Sequence, residues 1–106
     1  MPFINTADLK VVEPLPGWKG RFLHSEHMTF MHYTVDAGAS SIQEHHHPNE
    51  EVWTVLEGEF EVTIDGVTQT AGPGSVAVAP SNATHSIRAL TAGRVIVVNY
   101  PLRHTL

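Results

Sequence analysis

His45, His47, Glu51 and His85 are the side chains in this sequence whose types and spacing could do chemistry together. Three of them lie in one stretch, His-His-His-Pro-Asn-Glu-Glu, over residues 45–51. In an extended chain alternate side chains share a face, so His45 and His47 point one way and His46 the other. Two imidazoles and a carboxylate from one short segment make most of a divalent-metal shell, and a fourth ligand must come from elsewhere. Plainer readings exist for each part. A histidine triplet is commonly an exposed polar loop, and a single inward histidine such as His85 is commonly a hydrogen-bonded core residue.

Parity along the strands bears on that choice. His85 shares a face with Ile87 and Ala89, whereas Thr84, Ser86 and Arg88 take the other. Glu51 shares a face with Trp53 and Val55. Both ionisable groups therefore point with apolar neighbours, and a lone inward carboxylate is costly unless it is paired or bound to a metal.

The elements that must position these residues read as short strands. Trp18–Leu23, Met28–Val35 and Ile42–His47 are extended, the second closed by Asp36-Ala37-Gly38 and the third stopped at Pro48. Phe60, Val62 and Ile64 alternate with Glu59, Glu61 and Thr63, a period of two with one wet face. Asp65-Gly66 then supplies a two-residue type I′ turn, and Val67–Thr70 returns. Further strands are expected at Ser75–Ala79, Thr84–Leu90 and Arg94–Tyr100, with Phe60, Val62 and Ile64 set against Val76, Val78 and the Val95–Val98 run. Residues 1–17, with Pro2, Pro14, Pro16 and Gly17, read as a loose N-terminal arm with one short strand near Phe3–Ile4. No helix-period run of a dozen residues occurs, so an all-β sandwich or barrel in a single domain over residues 1–106 is expected.

Composition narrows the function classes. The chain has 106 residues, eleven acidic against six basic, and no cysteine. Disulfide scaffolds and thiolate metal sites are excluded. Between Arg21 and Arg88 there is no Lys or Arg, while nine acids fall there, so nucleic acid is not an expected partner. Glu57, Glu59 and Glu61 read as a solvated outer face. No apolar run is long enough for a membrane helix, and the first ten residues lack the pattern of a secretory leader, so a soluble cytoplasmic protein is expected.

Two segments resemble the paired motifs of the cupin superfamily, small β-barrels of jelly-roll type. The first motif, Gly, five residues, His-x-His, three or four residues, Glu, six residues, Gly, is matched by His45, His47, Glu51 and Gly58, with Gly38 one residue too far upstream. The second, Gly, five residues, Pro-x-Gly, two residues, His, three residues, Asn, is matched by Gly74, Pro80 and His85. There Asn82 stands for the glycine and Ala89 for the asparagine. Asn82 can take the left-handed turn that a glycine would have taken. The motifs cover about residues 38–58 and 74–89, with the fifteen-residue spacing between Gly58 and Gly74 found in microbial members.

The resemblance implies an all-β, double-stranded β-helix cupin barrel. It implies one divalent transition metal (Mn, Fe, Ni, Co or Zn) held by His45, His47, Glu51 and His85 inside the barrel mouth. It also implies a homodimer, through sheet edges and N-terminal strands. Met28, Phe30, His32 and Trp53 are candidates to line a substrate pocket, although such residues in a small barrel are commonly core. His24, His27 and His104 read as surface residues, and Arg103 as a solvated tail residue within reach of an anionic substrate. Two functions stand open: a metal-dependent enzyme on a small molecule, of oxygenase (oxidoreductase) or isomerase type, and a non-catalytic module that binds a small molecule or sugar. Part of the chain resembles the small cupins of pectin breakdown, which convert unsaturated uronates. The likeness lies in its length, in His45-x-His47-Pro48 and in Pro101-Leu102-Arg103, with Val97 where that subgroup's last-strand carboxylate is expected.

Overall fold

The computed structural model describes residues 3–103. After a single 3-10 turn at Thr6–Asp8, ten strands follow: β1 (Val11–Leu15), β2 (Trp18–His24), β3 (Thr29–Val35), β4 (Ile42–His45), β5 (Glu50–Glu57), β6 (Phe60–Ile64), β7 (Val67–Ala71), β8 (Val76–Ala79), β9 (His85–Ala89) and β10 (Gly93–Tyr100). They form a six-stranded sheet in the order β1-β2-β3-β10-β5-β8 and a four-stranded sheet in the order β4-β9-β6-β7, with every pairing antiparallel. No α-helix occurs among the described residues. This is the jelly-roll architecture expected from the sequence.

The core lies between the sheets and follows the period of two. Along β3 the buried residues are Thr29, Met31, Tyr33 and Val35, and along β10 they include Val95 and Val97. From the smaller sheet, Phe60, Val62 and Ile87 face them. Trp18 is the hub, meeting Tyr33 edge-on at 5.5 Å and Trp53 edge-on at 6.1 Å between ring centroids. Its indole N–H donates to the Ser40 carbonyl at 2.7 Å, so the one polar atom of the ring is satisfied inside the core.

The β6–β7 hairpin forms as its turn chemistry dictates. Asp65 and Gly66 both take positive φ, 48° and 79°, as a type I′ turn requires, and the register runs from Phe60 opposite Ala71 to Ile64 opposite Val67. Asn82 takes φ 62° in the turn before β9.

Three expectations need correction. Residues 11–15 are not loose: they pair with β2 as the outermost strand of the larger sheet, where Pro14 is tolerated because an edge strand leaves one row of N–H groups unpaired. Phe3 and Ile4 are exposed and lie outside any strand. Val76 and Val78 do not face Phe60. Their strand joins the larger sheet beside β5, with Ala77 and Ala79 turned toward the interior and the two valines toward solvent.

Candidate metal centre

His45 closes β4 and His85 opens β9, and the two are register partners across the smaller sheet. A bulge interrupts the pairing between Ile42 and His45, pairing resumes at His45, and β4 stops there, before His46 rather than at His47. His47 lies just beyond, half-buried on the same side, while His46 is exposed. Glu51 enters from the other sheet, second residue of β5, 2% exposed.

The three imidazoles converge. Ring centroids are 4.3 Å apart for His45 and His85, 4.9 Å for His47 and His85, and 5.5 Å for His45 and His47. One ring nitrogen from each falls within 4.8 Å of the other two, so the trio could hold a metal ion. Glu51 lies against the same group, with Oε2 3.0 Å from His47 Nε2 and Oε1 3.7 Å from His85 Nε2.

Backbone carbonyls select the tautomers. His45 Nδ1 donates to the Gln43 carbonyl at 2.8 Å and His85 Nδ1 to the Ala83 carbonyl at 3.0 Å. In the neutral ring this tautomer presents the Nε2 lone pair, the form in which imidazole binds a metal. His85 Nε2 is buried without a hydrogen-bond partner. An unmatched acceptor beside a carboxylate and two further imidazoles is an environment that a divalent cation satisfies, and these residues fit such an ion.

The electrostatics agree. Burial first, and the Arg103 guanidinium second, hold the His47 pKa below its ordinary value, so the ring is neutral near pH 7 despite the opposing pull of Glu51. Glu51 is not left isolated, because Trp53 Nε1–H donates to its Oε1 and Arg103 Nη1 lies 3.2 Å from its Oε2. Burial, followed by the Glu51 charge, pushes the Tyr33 phenol up to about 12 and keeps it protonated.

A cavity of about 310 Å³ opens beside this group. Leu15, Trp18, Met31, Tyr33, Ile42 and Trp53 give it apolar walls, and His45, Glu51 and Arg103 its ionisable lining. Of the pocket residues expected from sequence, Trp53 is in place. Met28, Phe30 and His32 are not, because the inward face of β3 is the opposite parity, Thr29, Met31, Tyr33 and Val35. Met28 is exposed, and His32 lies on the outer face against Thr6 Oγ1 at 3.2 Å and Arg94 Nη2 at 3.1 Å. Counting apolar residues by parity would have found this, since Met31, Tyr33 and Val35 are all apolar while Phe30 alternates with His32 and Thr34.

Arg103 is the other departure. Its backbone N–H donates to Thr29 Oγ1 at 2.8 Å, and Asn49 Nδ2 donates to the Pro101 carbonyl at 2.6 Å. These bonds lay the last described residues across the cavity instead of into solvent. No local pattern in the sequence marks that path. His24 and His27 are exposed, the former 2.8 Å from Thr29 Oγ1 through Nδ1, and His104 lies outside the described residues. Glu57, Glu59 and Glu61 stand on outer faces, Glu57 paired with Arg94 at 3.0 Å and Glu61 with Arg88 at 3.2 Å.

The family model for the cupin domain matches residues 31–99. No curated protein matches the chain in sequence. Among solved structures, an RmlC-like cupin from Shewanella frigidimarina NCIMB 400 aligns with a TM-score of 0.90 at 26% identity, over 98% of this chain and 94% of that one. KdgF from Halomonas sp. aligns at 0.89 with 23% identity, over 98% and 96%. A deletion mutant of Bacillus subtilis oxalate decarboxylase aligns at 0.81 with 22% identity, over 97% of this chain and 30% of that one. The last two likenesses are of fold.

Proposed function

This chain belongs to the cupin family, and from that premise we propose that it is a mononuclear metal-dependent enzyme acting on a small organic anion. His45, His47 and His85, with Glu51, would hold one divalent transition ion, drawn from Mn, Fe, Ni, Co or Zn, since nitrogen and oxygen donors without sulfur suit all five. When bound, such an ion supplies Lewis-acid polarisation of a carbonyl or enolate oxygen, or activation of O2. The observation that carries the reading is the buried, unpartnered Nε2 of His85 at the meeting point of three imidazoles and a carboxylate.

The remaining residues bind and orient. The Arg103 guanidinium is the cation in the cavity lining and would take the substrate's carboxylate, in competition with Glu51. Trp18, Met31 and Trp53 offer flat or flexible apolar walls for the carbon skeleton and limit water beside it. Tyr33 keeps its proton throughout the physiological range and would act as a hydrogen-bond donor, not as a base. Val97, fully buried opposite Met31 and Trp53 in register, stands where the resemblance to the small cupins of pectin breakdown leads one to expect a last-strand carboxylate, and it supplies none.

That last point also favours a second reading, a binding module whose ion helps to hold its ligand. Reconstitution of metal-free protein with each of the five ions separates the two. An enzyme consumes O2 with a small carboxylate or interconverts a keto-acid signal by NMR with at least one ion. Ligand binding without turnover under all five would establish the binder.

A further inference from the structure

The inward face of the larger sheet changes character at the end that carries Glu51. Tyr33, Val95 and Val55 are register partners across three strands, Met31, Val97 and Trp53 form the next row, and both rows belong to the apolar core. The row beyond them is polar on four successive strands: His24, Thr29, Asn99 and Glu51. Three of the four have polar partners. His24 Nδ1 lies 2.8 Å from Thr29 Oγ1, Thr29 Oγ1 accepts from the Arg103 backbone N–H, and Glu51 meets His47, Trp53 and Arg103. The side chain of Asn99 differs. It is 0% exposed, and neither its Nδ2 nor its Oδ1 has a hydrogen-bond partner among the described residues. An amide buried with donor and acceptor both unmatched costs stability, and it calls for a ligand group or a trapped water.

Arg103 covers this amide. Its backbone N–H lies 2.8 Å from Thr29 Oγ1 on one side of Asn99, and its Nη1 lies 3.2 Å from Glu51 Oε2 on the other. Neighbouring strands are ~4.8 Å apart, so the two anchoring strands stand ~10 Å apart with the Asn99 strand midway, and the arginine stem crosses over it. Arg103 also lines the cavity. We propose that Asn99 is a specificity-determining residue for an α-hydroxy acid. When Arg103 turns from Glu51 to a ligand carboxylate, the amide opens to the cavity and takes the hydroxyl beside that carboxylate. This rests on the reading of Arg103 as the carboxylate's partner. A hydroxyl donates and accepts, so it can meet either amide atom, whereas a second carboxylate can meet only Nδ2 and would stand against the Glu51 charge. The hydroxyl must also lie close to the carboxylate, because Asn99 and the Glu51 that Arg103 leaves are register partners one strand apart.

Titration of the full chain with glycolate and, separately, with acetate tests this, followed by NMR at the Asn99 side-chain amide. Metal-free protein is used, so that chelation of an ion cannot imitate the preference. Glycolate should bind about tenfold or more tighter than acetate and move the Asn99 signal, since a site that bonds a hydroxyl discriminates against the analogue without one. Asn99→Leu, of similar volume, should bring the two acids to within about twofold and raise Tm, because it removes an unmatched buried amide. Equal affinity of wild type for the two acids overturns the proposal. So does an Asn99→Leu chain that keeps the preference, which is the result expected if Asn99 only holds a water. Should that variant fail to fold, the wild-type signal decides: an Asn99 amide that glycolate moves no further than acetate does overturns the proposal. Binding of neither acid sinks the anion reading and this inference together, while binding of both without preference sinks this inference alone.

Discussion

Three adjacent histidines at 45–47 carry different fates. His45 and His47 are half-buried and belong to the convergent cluster, whereas His46 is exposed and outside it. His46→Ala should therefore keep full metal occupancy, while His45→Ala or His47→Ala should weaken binding at least tenfold by equilibrium dialysis. Loss of binding in the His46 variant alone would mean that the register around the bulge is wrong. Arg103→Ala should leave occupancy in place and weaken carboxylate binding about tenfold by calorimetry, with Arg103→Lys recovering part, since a lysine brings the charge without the fork. The ligand candidates were legible in the sequence because strand parity and spacing are local properties. Arg103 was not, because its place depends on Thr29 and Asn49, 74 and 52 residues distant from the groups they hold.

At the scale of elements, two motif glycines do different work. Gly58 has φ 86°, and a Cβ there would lie 2.4 Å from the Ala92 carbonyl oxygen and 2.9 Å from Gly93 Cα. Gly74 has φ 87°, and a Cβ there would meet nothing within 4 Å. Gly58→Ala combines backbone strain with a backbone clash and should cost about 3 kcal/mol or more, against about 1–2 kcal/mol for Gly74→Ala, by urea denaturation. Equal costs would contradict the close approach of β5's end to β10. Strand order separates what the sequence showed from what it hid. The β6–β7 hairpin was readable because Asp65-Gly66 fixes its turn and one face is wet. Strand β1 was hidden because Val11 to Leu15 is mostly exposed and contains Pro14, so it carries no alternation. The β3 parity was legible in Met31, Tyr33 and Val35 against Phe30, His32 and Thr34, and the large apolar Met28 and Phe30 obscured it.

For the whole molecule, the core around Trp18, Phe60, Val95 and Val97 is independent of the histidine cluster, so the barrel should remain folded without an ion. Chelation should leave the far-UV spectrum unchanged and lower Tm only modestly. The pH response of metal-free protein should have a part from His47, whose pKa is also held low, and a part from His32. Burial, then Arg94, then Arg21 hold its pKa below the ordinary 6.5, so the folded state binds fewer protons than the unfolded chain. Its contribution is fully present above 6.5 and is lost as pH falls through that value toward the lower folded one. The fall in Tm between about pH 7.5 and pH 5 should be smaller in His32→Gln than in wild type. The central claim is a metal centre with positions open to small molecules, and cobalt titration of metal-free protein, followed by azide, tests it most directly. The expected result is one Co(II) per chain, with a visible spectrum that azide perturbs in wild type and that is lost in His85→Ala. A chain that takes up no stoichiometric cobalt, or a bound-cobalt spectrum untouched by azide, would contradict it.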